Sequence, residues 1–108
     1  MSTFKAITVN ELKHKIDQND DFTLIDVREN SELEICKLES AQHIPMNSIP
    51  LQLNKIDFSK PVVIMCKSGG RSAQICQFLN QQGYFNIYNL SGGIISWALE
   101  IDSTMATY

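Results

Sequence analysis

A cysteine at the end of an apolar run is the residue of this chain with the clearest capacity for chemistry. Residues 66–72 read Cys-Lys-Ser-Gly-Gly-Arg-Ser and directly follow the apolar run Val62–Met65. A glycine loop between a strand and a helix can turn backbone N–H groups toward one point, where the helix also presents its positive end. Together with Lys67 and Arg71, such a loop lowers the pKa of a thiol from its ordinary value of about 8.5. The pattern therefore predicts that Cys66 is a nucleophile.

Packing is the alternative explanation for any cysteine, because unpaired cysteines are often buried as small apolar groups. The glycine pair and the two flanking cations favour reactivity for Cys66. Cys76 lies on the apolar stripe of a predicted helix and is expected in the core. Cys36 is expected to be a packed or exposed thiol, with a second interpretation as a thiol that resolves an adduct on Cys66 or forms a regulatory disulfide. These three cysteines form no disulfide or metal pattern, which indicates a reducing compartment, most simply the cytoplasm.

The size and composition of the chain limit its function classes. Its 108 residues and 44% apolar content predict one globular domain with an ordinary core. The net charge of −3 argues against a nucleic-acid partner. No apolar stretch approaches the ~20 residues that span a bilayer, and residues 1–6 contain no apolar leader segment. No metal site and no cofactor are predicted.

Strand patterns and helix patterns alternate along the chain. Strands are predicted over residues 6–8, 22–27, 41–44, 62–65 and 86–90. Helices are predicted over residues 10–16, with Asn10 as the cap, over 31–35, over 51–54, opened by Pro50, over 72–82, and from 92–93 to about 99. This alternation predicts an α/β fold whose largely parallel sheet has helices on both faces. Sites in such sheets form at the C-terminal ends of strands, where Cys66 lies.

Three segments together resemble the rhodanese family in its small single-domain form. Residues 24–29 read Leu-Ile-Asp-Val-Arg-Glu, residues 66–71 match a six-residue active-site loop that opens with cysteine, and residues 90–97 read Leu-Ser-Gly-Gly-Ile-Ile-Ser-Trp. The resemblance covers roughly residues 4–100. It implies a rhodanese-like three-layer domain with a five-stranded, mostly parallel sheet. One domain over residues 1–108 is expected, with a tail at 101–108 that is polar and expected to be loose.

The resemblance also implies a sulfurtransferase. Cys66 would take the outer sulfur of a donor as a persulfide and pass it to cyanide or to an acceptor thiol, which could belong to a protein. The cations Lys67 and Arg71 point to an anionic donor, and the resemblance favours thiosulfate over mercaptopyruvate; solvated loop charges are the alternative. Ser68, Gly69 and Gly70 complete the predicted cradle for the bound sulfur. Ser72 is expected to cap the helix or to reach the sulfur.

Other polar residues receive supporting or structural interpretations. Asp26 follows apolar strand residues and is expected to be partly buried, with Arg28 or loop N–H groups as partners. We interpret both Asp26 and Arg28 as structural support for the active loop. His43 is expected to be a strand residue rather than a catalytic one. The chain departs from the family at residues 36–41, where Cys-Lys-Leu-Glu-Ser-Ala replaces a common Gly-His-Ile-x-Gly-Ala, so the shape of this loop is not predicted.

Two other functions compete with a sulfurtransferase enzyme. Phosphatases and arsenate reductases also cradle an anion beside a cysteine, but their loops place five residues between cysteine and arginine. Here four residues intervene between Cys66 and Arg71, which gives a tighter cradle that suits one sulfur atom. The second competitor is a sulfur carrier or regulatory module that docks on a protein partner and turns over small donors weakly. The sequence leaves this alternative open.

Overall fold

Strands and helices alternate along residues 4–108, which are the residues that this computed structural model describes. The strands are β1 (Lys5–Ile7), β2 (Thr23–Asp26), β3 (Gln42–His43), β4 (Val62–Met65) and β5 (Ile87–Leu90). The α-helices are α1 (Val9–Asp17), α2 (Asn30–Leu33), α3 (Gly70–Gln81) and α4 (Gly93–Glu100), and two 3₁₀ helices, Met46–Leu51 and Leu53–Lys55, precede β4. The prediction that no leader segment is present draws on residues 1–6, of which the first three lie outside the described residues.

The five strands form one sheet in the order β1-β5-β4-β2-β3, and every neighbouring pair is parallel. Parallel neighbours need crossover connections, and α2 lies in the connection between β2 and β3 while α3 lies in the connection between β4 and β5. The central strand β4 pairs with β2 on one side and with β5 on the other, so Cys66 emerges in the middle of the carboxyl edge. The predicted α/β fold is confirmed, and the described sheet is wholly rather than mostly parallel.

Both faces of the sheet are covered, and side chains of β4 alternate between them. Val62 and Ile64 belong to an apolar cluster that includes residues of α3, whereas Val63 and Met65 belong to a second cluster that includes residues of α1 and α4. All four of these β4 residues are fully buried, as expected for a central parallel strand covered on both sides. The molecule therefore has three layers, as predicted.

Thr8, and not Asn10, caps helix α1. The Thr8 side-chain oxygen accepts a hydrogen bond from the Glu11 N–H at 3.1 Å, and the Glu11 carboxylate accepts one from the Thr8 N–H at 2.9 Å. This reciprocal capping box satisfies two backbone donors at once. An isolated asparagine cap at position 10 would satisfy fewer, which explains why the predicted cap is wrong and why β1 ends before Thr8.

Pro50 does not open a helix. It lies inside a 3₁₀ helix that begins at Met46, directly after Pro45, whose ψ of 145° is extended. Pro45 therefore provides the break between β3 and the following turn, and the predicted helix over residues 51–54 is replaced by the two 3₁₀ segments. The tighter 3₁₀ winding suits a short connection of this kind.

The C-terminal tail makes fixed contacts and is not the loose end that the sequence predicts. The Asp102 N–H donates to the Trp97 carbonyl at 3.0 Å, and the Asp102 carboxylate accepts from the Thr104 N–H at 3.0 Å. Met105 packs against the apolar cluster beneath α1 and α4. The tail thus packs against the core and brings Tyr108 beside Lys67 of the active loop.

Among residues 4–108, the structure contains no helix with both the length and the apolar character that crossing a membrane requires.

Candidate active site

Cys66 is the first residue after β4, and hydrogen-bond donors surround its sulfur. The Gly69 N–H donates to Cys66 Sγ at 3.1 Å, and the Ser72 N–H donates to it at 3.4 Å. The Ser72 hydroxyl oxygen lies 3.3 Å from the same sulfur. Because α3 begins at Gly70, these N–H groups belong to its N-terminus, where a helix supplies no carbonyl partner. The loop therefore directs its unpaired donors at one atom.

Gly69 gives the loop its sharp turn. Its φ of +112° lies in the left-handed region, which glycine enters without the penalty of a Cβ atom. The Gly69 carbonyl accepts from the Ala73 N–H at 3.1 Å and from Asn89 Nδ2 at 3.2 Å. The same residue thus donates to the sulfur and is fixed from behind by α3 and β5.

The hydrogen bonds around Cys66 outweigh the effect of its burial. Only 1% of the residue is exposed, and burial by itself raises the pKa of a thiol. The Ser72 hydroxyl and the N–H groups of Ser72, Gly69 and Ser68 act in the opposite direction, and together they place the pKa of Cys66 below its ordinary value. The site therefore favours the thiolate, which is the nucleophilic form.

The Ser72 hydroxyl has one hydrogen and two acceptors within reach. It donates to Asn89 Oδ1 at 2.5 Å, while the Cys66 sulfur lies on its other side. In the thiol state the S–H can donate to the Ser72 oxygen. In the thiolate state the sulfur and Asn89 compete for the hydroxyl hydrogen. The backbone N–H groups are therefore the constant donors to the sulfur anion, and Ser72 is an adjustable one.

Asn89 is a site residue that the sequence analysis missed. It lies on β5 beside Ile64 of β4, and its amide bridges the Ser72 hydroxyl and the Gly69 carbonyl. Asn89 therefore fixes Gly69 and Ser72, the two residues whose N–H groups donate to the Cys66 sulfur. One signal could have found it, because a polar residue near the carboxyl end of the strand next to β4 lies at the edge where sites form.

Asp26 and Arg28 form a buried ion pair at the end of β2. The Arg28 Nη2 donates to Asp26 Oδ2 at 2.8 Å, and the Arg28 backbone N–H donates to Asp26 Oδ1 at 3.0 Å. Both residues are at most 1% exposed, and Arg28 Nη2 also donates to the Cys36 carbonyl at 2.9 Å. A buried pair is tolerated when its remaining donors and acceptors find partners. The predicted pairing of the two residues is confirmed, and Asp26 is more deeply buried than predicted.

The guanidinium of Arg71 binds Glu32 through two parallel hydrogen bonds. Nη1 donates to Oε2 at 2.7 Å and Nη2 donates to Oε1 at 2.8 Å. Arg71 holds the pKa of Glu32 at about 2, and Glu32 also accepts from the Glu29 N–H at 2.8 Å. Glu32 lies within the short helix α2, and its pairing with Arg71 was not predicted from the sequence. This bridge ties α2 to the first turn of α3.

Tyr108 brings the tail to the same place. Its hydroxyl donates to Glu32 Oε1 at 2.8 Å and accepts from Arg28 Nη1 at 3.0 Å. The Lys67 ammonium lies 4.5 Å from the centre of the Tyr108 ring. No pattern in the sequence points to this residue, because its partners are 76 and 80 positions away.

The N-terminus of α4 holds the backbone of the active loop through two hydrogen bonds. The Ile94 N–H donates to the Cys66 carbonyl at 3.0 Å, and the Ile95 N–H donates to the Lys67 carbonyl at 3.1 Å. A Cβ atom on Gly93, whose φ is +58°, would stand 2.5 Å from the Lys67 carbonyl carbon and 2.6 Å from the Cys66 oxygen. The Gly-Gly segment is therefore required for the close approach of α4 to the loop.

The remaining predicted residues are two loop residues and three residues outside the loop. Ser68 and Gly70 are exposed at the rim of the loop, and the Ser68 N–H adds to the donors that favour the thiolate. His43 lies in β3, as predicted, with Nε2 2.7 Å from the Arg28 carbonyl oxygen. Cys76 is fully buried in the core, also as predicted, and Cys36 is a buried free thiol. Among the described residues, no group of three or more His, Cys, Asp or Glu side chains is placed to hold a metal ion.

Comparison with known proteins identifies the family to which this geometry belongs. The rhodanese-like domain family matches residues 8–100. A sulfurtransferase from Allochromatium vinosum is 39% identical over 92 residues, which are 85% of this chain and 86% of the relative. The crystal structure of SSP1007 from Staphylococcus saprophyticus shares 40% identity and a TM-score of 0.80, with 91% of this chain and 97% of the other covered. A rhodanese-like domain protein from Staphylococcus aureus shares 33% identity and a TM-score of 0.80, covering 87% and 91%.

The sequence match, the parallel sheet and the cysteine loop at its carboxyl edge agree, and the chain belongs to the rhodanese-like sulfurtransferase family.

Proposed function

We propose that this protein is a thiosulfate sulfurtransferase, which moves a sulfane sulfur from an anionic donor such as thiosulfate to cyanide or a thiol. The observation that carries the proposal is the convergence of the Gly69 and Ser72 N–H groups on the sulfur of Cys66. Donors in this arrangement stabilise a sulfur anion before and after transfer. The family membership supports the class of reaction, and the loop geometry supports Cys66 as its carrier.

The transfer consists of two displacements at sulfur. The Cys66 thiolate attacks the outer sulfur of thiosulfate, a new S–S bond forms, and the S–S bond of the donor breaks so that sulfite leaves with its electron pair. Cys66 then carries a persulfide whose terminal sulfur is an anion. Cyanide or an acceptor thiolate attacks that terminal sulfur, the S–S bond to Cys66 breaks, and the thiolate is regenerated. The covalent intermediate divides one difficult transfer into two easier ones.

The rest of the loop serves these displacements. Ser68, Gly69, Gly70 and Ser72 shape the cradle that holds the transferred sulfur. Lys67 supplies positive charge to an anionic donor, and Arg71, whose charge is partly compensated by Glu32, adds to it. Asp26 and Arg28 support the site from the end of β2, because Asp26 fixes Arg28 and Arg28 holds the hydroxyl of Tyr108, whose ring lies beside Lys67 of the loop.

The length of the loop supports sulfur transfer over phosphate chemistry. Four residues separate Cys66 from Arg71, and the Gly69 N–H approaches Sγ itself at 3.1 Å. A cradle that closes on the cysteine sulfur suits a single bound sulfur atom. In addition, three free thiols persist most readily in a reducing compartment, and we propose the cytoplasm as the place of action.

Mass spectrometry of the intact protein tests the proposal. Incubation with thiosulfate should add one sulfur atom, and dithiothreitol should remove it. The gain should be absent from Cys66→Ser and present in Cys76→Ser, which serves as the matched control. Absence of the added sulfur in the unaltered protein would overturn the proposal. If the sulfur is added but cyanide produces negligible thiocyanate, the protein is the docked carrier that the sequence left open.

A further inference from the structure

The Tyr108 side chain is held at three points beside the active loop. Its hydroxyl is fixed by Glu32 at 2.8 Å and by Arg28 at 3.0 Å, and its ring lies 4.5 Å from the Lys67 ammonium. Arg28 itself is buried and fixed by Asp26. The ring is thus a rigid platform under a lysine that follows the nucleophile directly in sequence.

The three cations around the loop differ in their partners. Arg28 pairs with Asp26 at 2.8 Å, and Arg71 pairs with Glu32 at 2.7 Å. Within residues 4–108, Lys67 pairs with an aromatic ring and not with a carboxylate. A cation–π contact leaves the charge of an ammonium uncompensated and its N–H donors available to an anion. Lys67 is therefore the cation at the site that retains its full positive charge for a ligand.

We propose that Tyr108 is a positioning residue that holds the Lys67 ammonium as the docking charge for the oxyanion end of the sulfur donor. The proposal rests on the proposed function for the identity of the donor. The class of substrate is a small sulfane donor whose leaving group is an anion, as thiosulfate is. The donor contacts Lys67, and Tyr108 acts through Lys67.

Two alkylating reagents of similar size, one charged and one neutral, measure this effect without sulfur transfer. Iodoacetate is an anion and iodoacetamide is neutral, so the ratio of their rates at Cys66 reports the positive potential at the entrance, while changes in access cancel. In Tyr108→Leu the ratio should fall about threefold, as expected from losing one cation–π contact. In Tyr108→Phe, which keeps the ring and loses both hydroxyl bonds, the ratio should fall less. The KM for thiosulfate should rise by the same factors, with kcat little changed.

Three controls keep the result interpretable. Tyr88→Leu removes the ring of a second lysine–tyrosine pair, in which Lys5 lies 6.0 Å from the ring centre, and it should leave the ratio unchanged. In the Lys67→Gln background, Tyr108→Leu should have no further effect on the ratio, because the pair acts as a unit. Cys76 must remain unalkylated throughout, since its reaction would report unfolding.

The outcomes separate this proposal from the proposed function. An unchanged ratio in Tyr108→Leu, or an equal fall with and without Lys67, would overturn the role of Tyr108. A fall in the ratio without any persulfide formation would support Tyr108 as a positioning residue and reject sulfur transfer. A fall in the ratio with an unchanged KM for thiosulfate would show that the docked anion is not this donor and would overturn the proposal.

Discussion

Cys66 and Cys76 are buried to the same degree, but the pKa values of their thiols are shifted in opposite directions. Their residues are 1% and 0% exposed, respectively. Burial raises the pKa of Cys76 to about 12, whereas hydrogen bonds lower the pKa of Cys66 despite its burial. The difference shows that burial makes a cysteine inert only where the surroundings lack donors for its sulfur.

The position of each cysteine on its element explains the contrast. Cys76 lies in the middle of α3, where backbone N–H groups are engaged by carbonyls of the preceding turn. Cys66 lies before the first turn of the same helix, where N–H groups lack such carbonyls. The same helix therefore offers donors to one sulfur and an apolar packing face to the other.

The largest expected effect is a difference in alkylation rate between these two cysteines. At pH 7, iodoacetamide should modify Cys66 at least about 10³-fold faster than Cys76, because the thiolate fraction follows the pKa. A more basic thiolate is the better nucleophile, which reduces this ratio, but Cys76 is reached only through opening of the core. Peptide mass spectrometry at timed intervals measures both rates in one sample.

The pH dependence of the same alkylation reaction shows in which direction the pKa of each cysteine is shifted. Because the pKa of Cys66 is lowered, its rate should level off at a lower pH than that of a free cysteine peptide. The rate at Cys76 should still rise at the highest pH at which the protein remains folded. Equal rates at pH 7, or a plateau for Cys66 above that of the peptide, would contradict the comparison.

The second expected effect comes from the contact that holds the Cys66 loop in place. Gly93→Ala would drive a Cβ atom into the Lys67 backbone and should reduce the free energy of unfolding by about 3 kcal/mol. Gly83→Ala is the matched control, since Gly83 has a φ of +97° but no atom within 4 Å of the added Cβ. It should cost only the left-handed penalty, about 1 kcal/mol. Urea denaturation measures both.

Displacement of the loop by Gly93→Ala should also lower the reactivity of Cys66 toward that of Cys76. If α4 pushes the Lys67 carbonyl outward, the donors of the loop separate from the sulfur and alkylation at pH 7 slows. An alanine variant as stable as Gly83→Ala, with unchanged alkylation, would show that α4 does not position the loop.

The local part of this site was predictable from the sequence, and the distant part was not. The order of strand, cysteine, glycine turn and helix is written within residues 62–82, and the Asp26–Arg28 pair spans two positions. By contrast, Asn89 meets Ser72 across 17 positions and Glu32 meets Arg71 across 39. Those contacts depend on which strands become neighbours in the sheet, and hydrophobic patterns do not encode that order.

The tail shows a second limit of sequence reasoning. Polar residues near a terminus usually indicate a loose end. Here two apolar residues, Ile101 and Met105, pack against the core. Tyr108 binds two charged side chains, Arg28 and Glu32, that the fold brings together. The contacts that stabilise this tail are made with a surface that forms only when the rest of the chain folds, so the sequence of the tail alone does not reveal them.

The smallest expected effect distinguishes the adjustable donor of the Cys66 cradle from its constant ones. Ser72→Ala removes the hydroxyl and keeps the backbone N–H, so it should slow alkylation of Cys66 at pH 7 by about threefold, the value of one weak hydrogen bond. Because the hydroxyl lowers the pKa, its loss raises the pKa and moves the midpoint of the rate profile to higher pH, while the plateau rate stays that of the unaltered protein. An equal slowing at every pH would instead mean that Ser72 controls access to the sulfur. A larger loss would mean that the Ser72 hydroxyl donates its hydrogen mainly to the thiolate and not to Asn89. The difference in reactivity between Cys66 and Cys76 would then come chiefly from the Ser72 side chain and less from the backbone N–H groups at the N-terminus of α3.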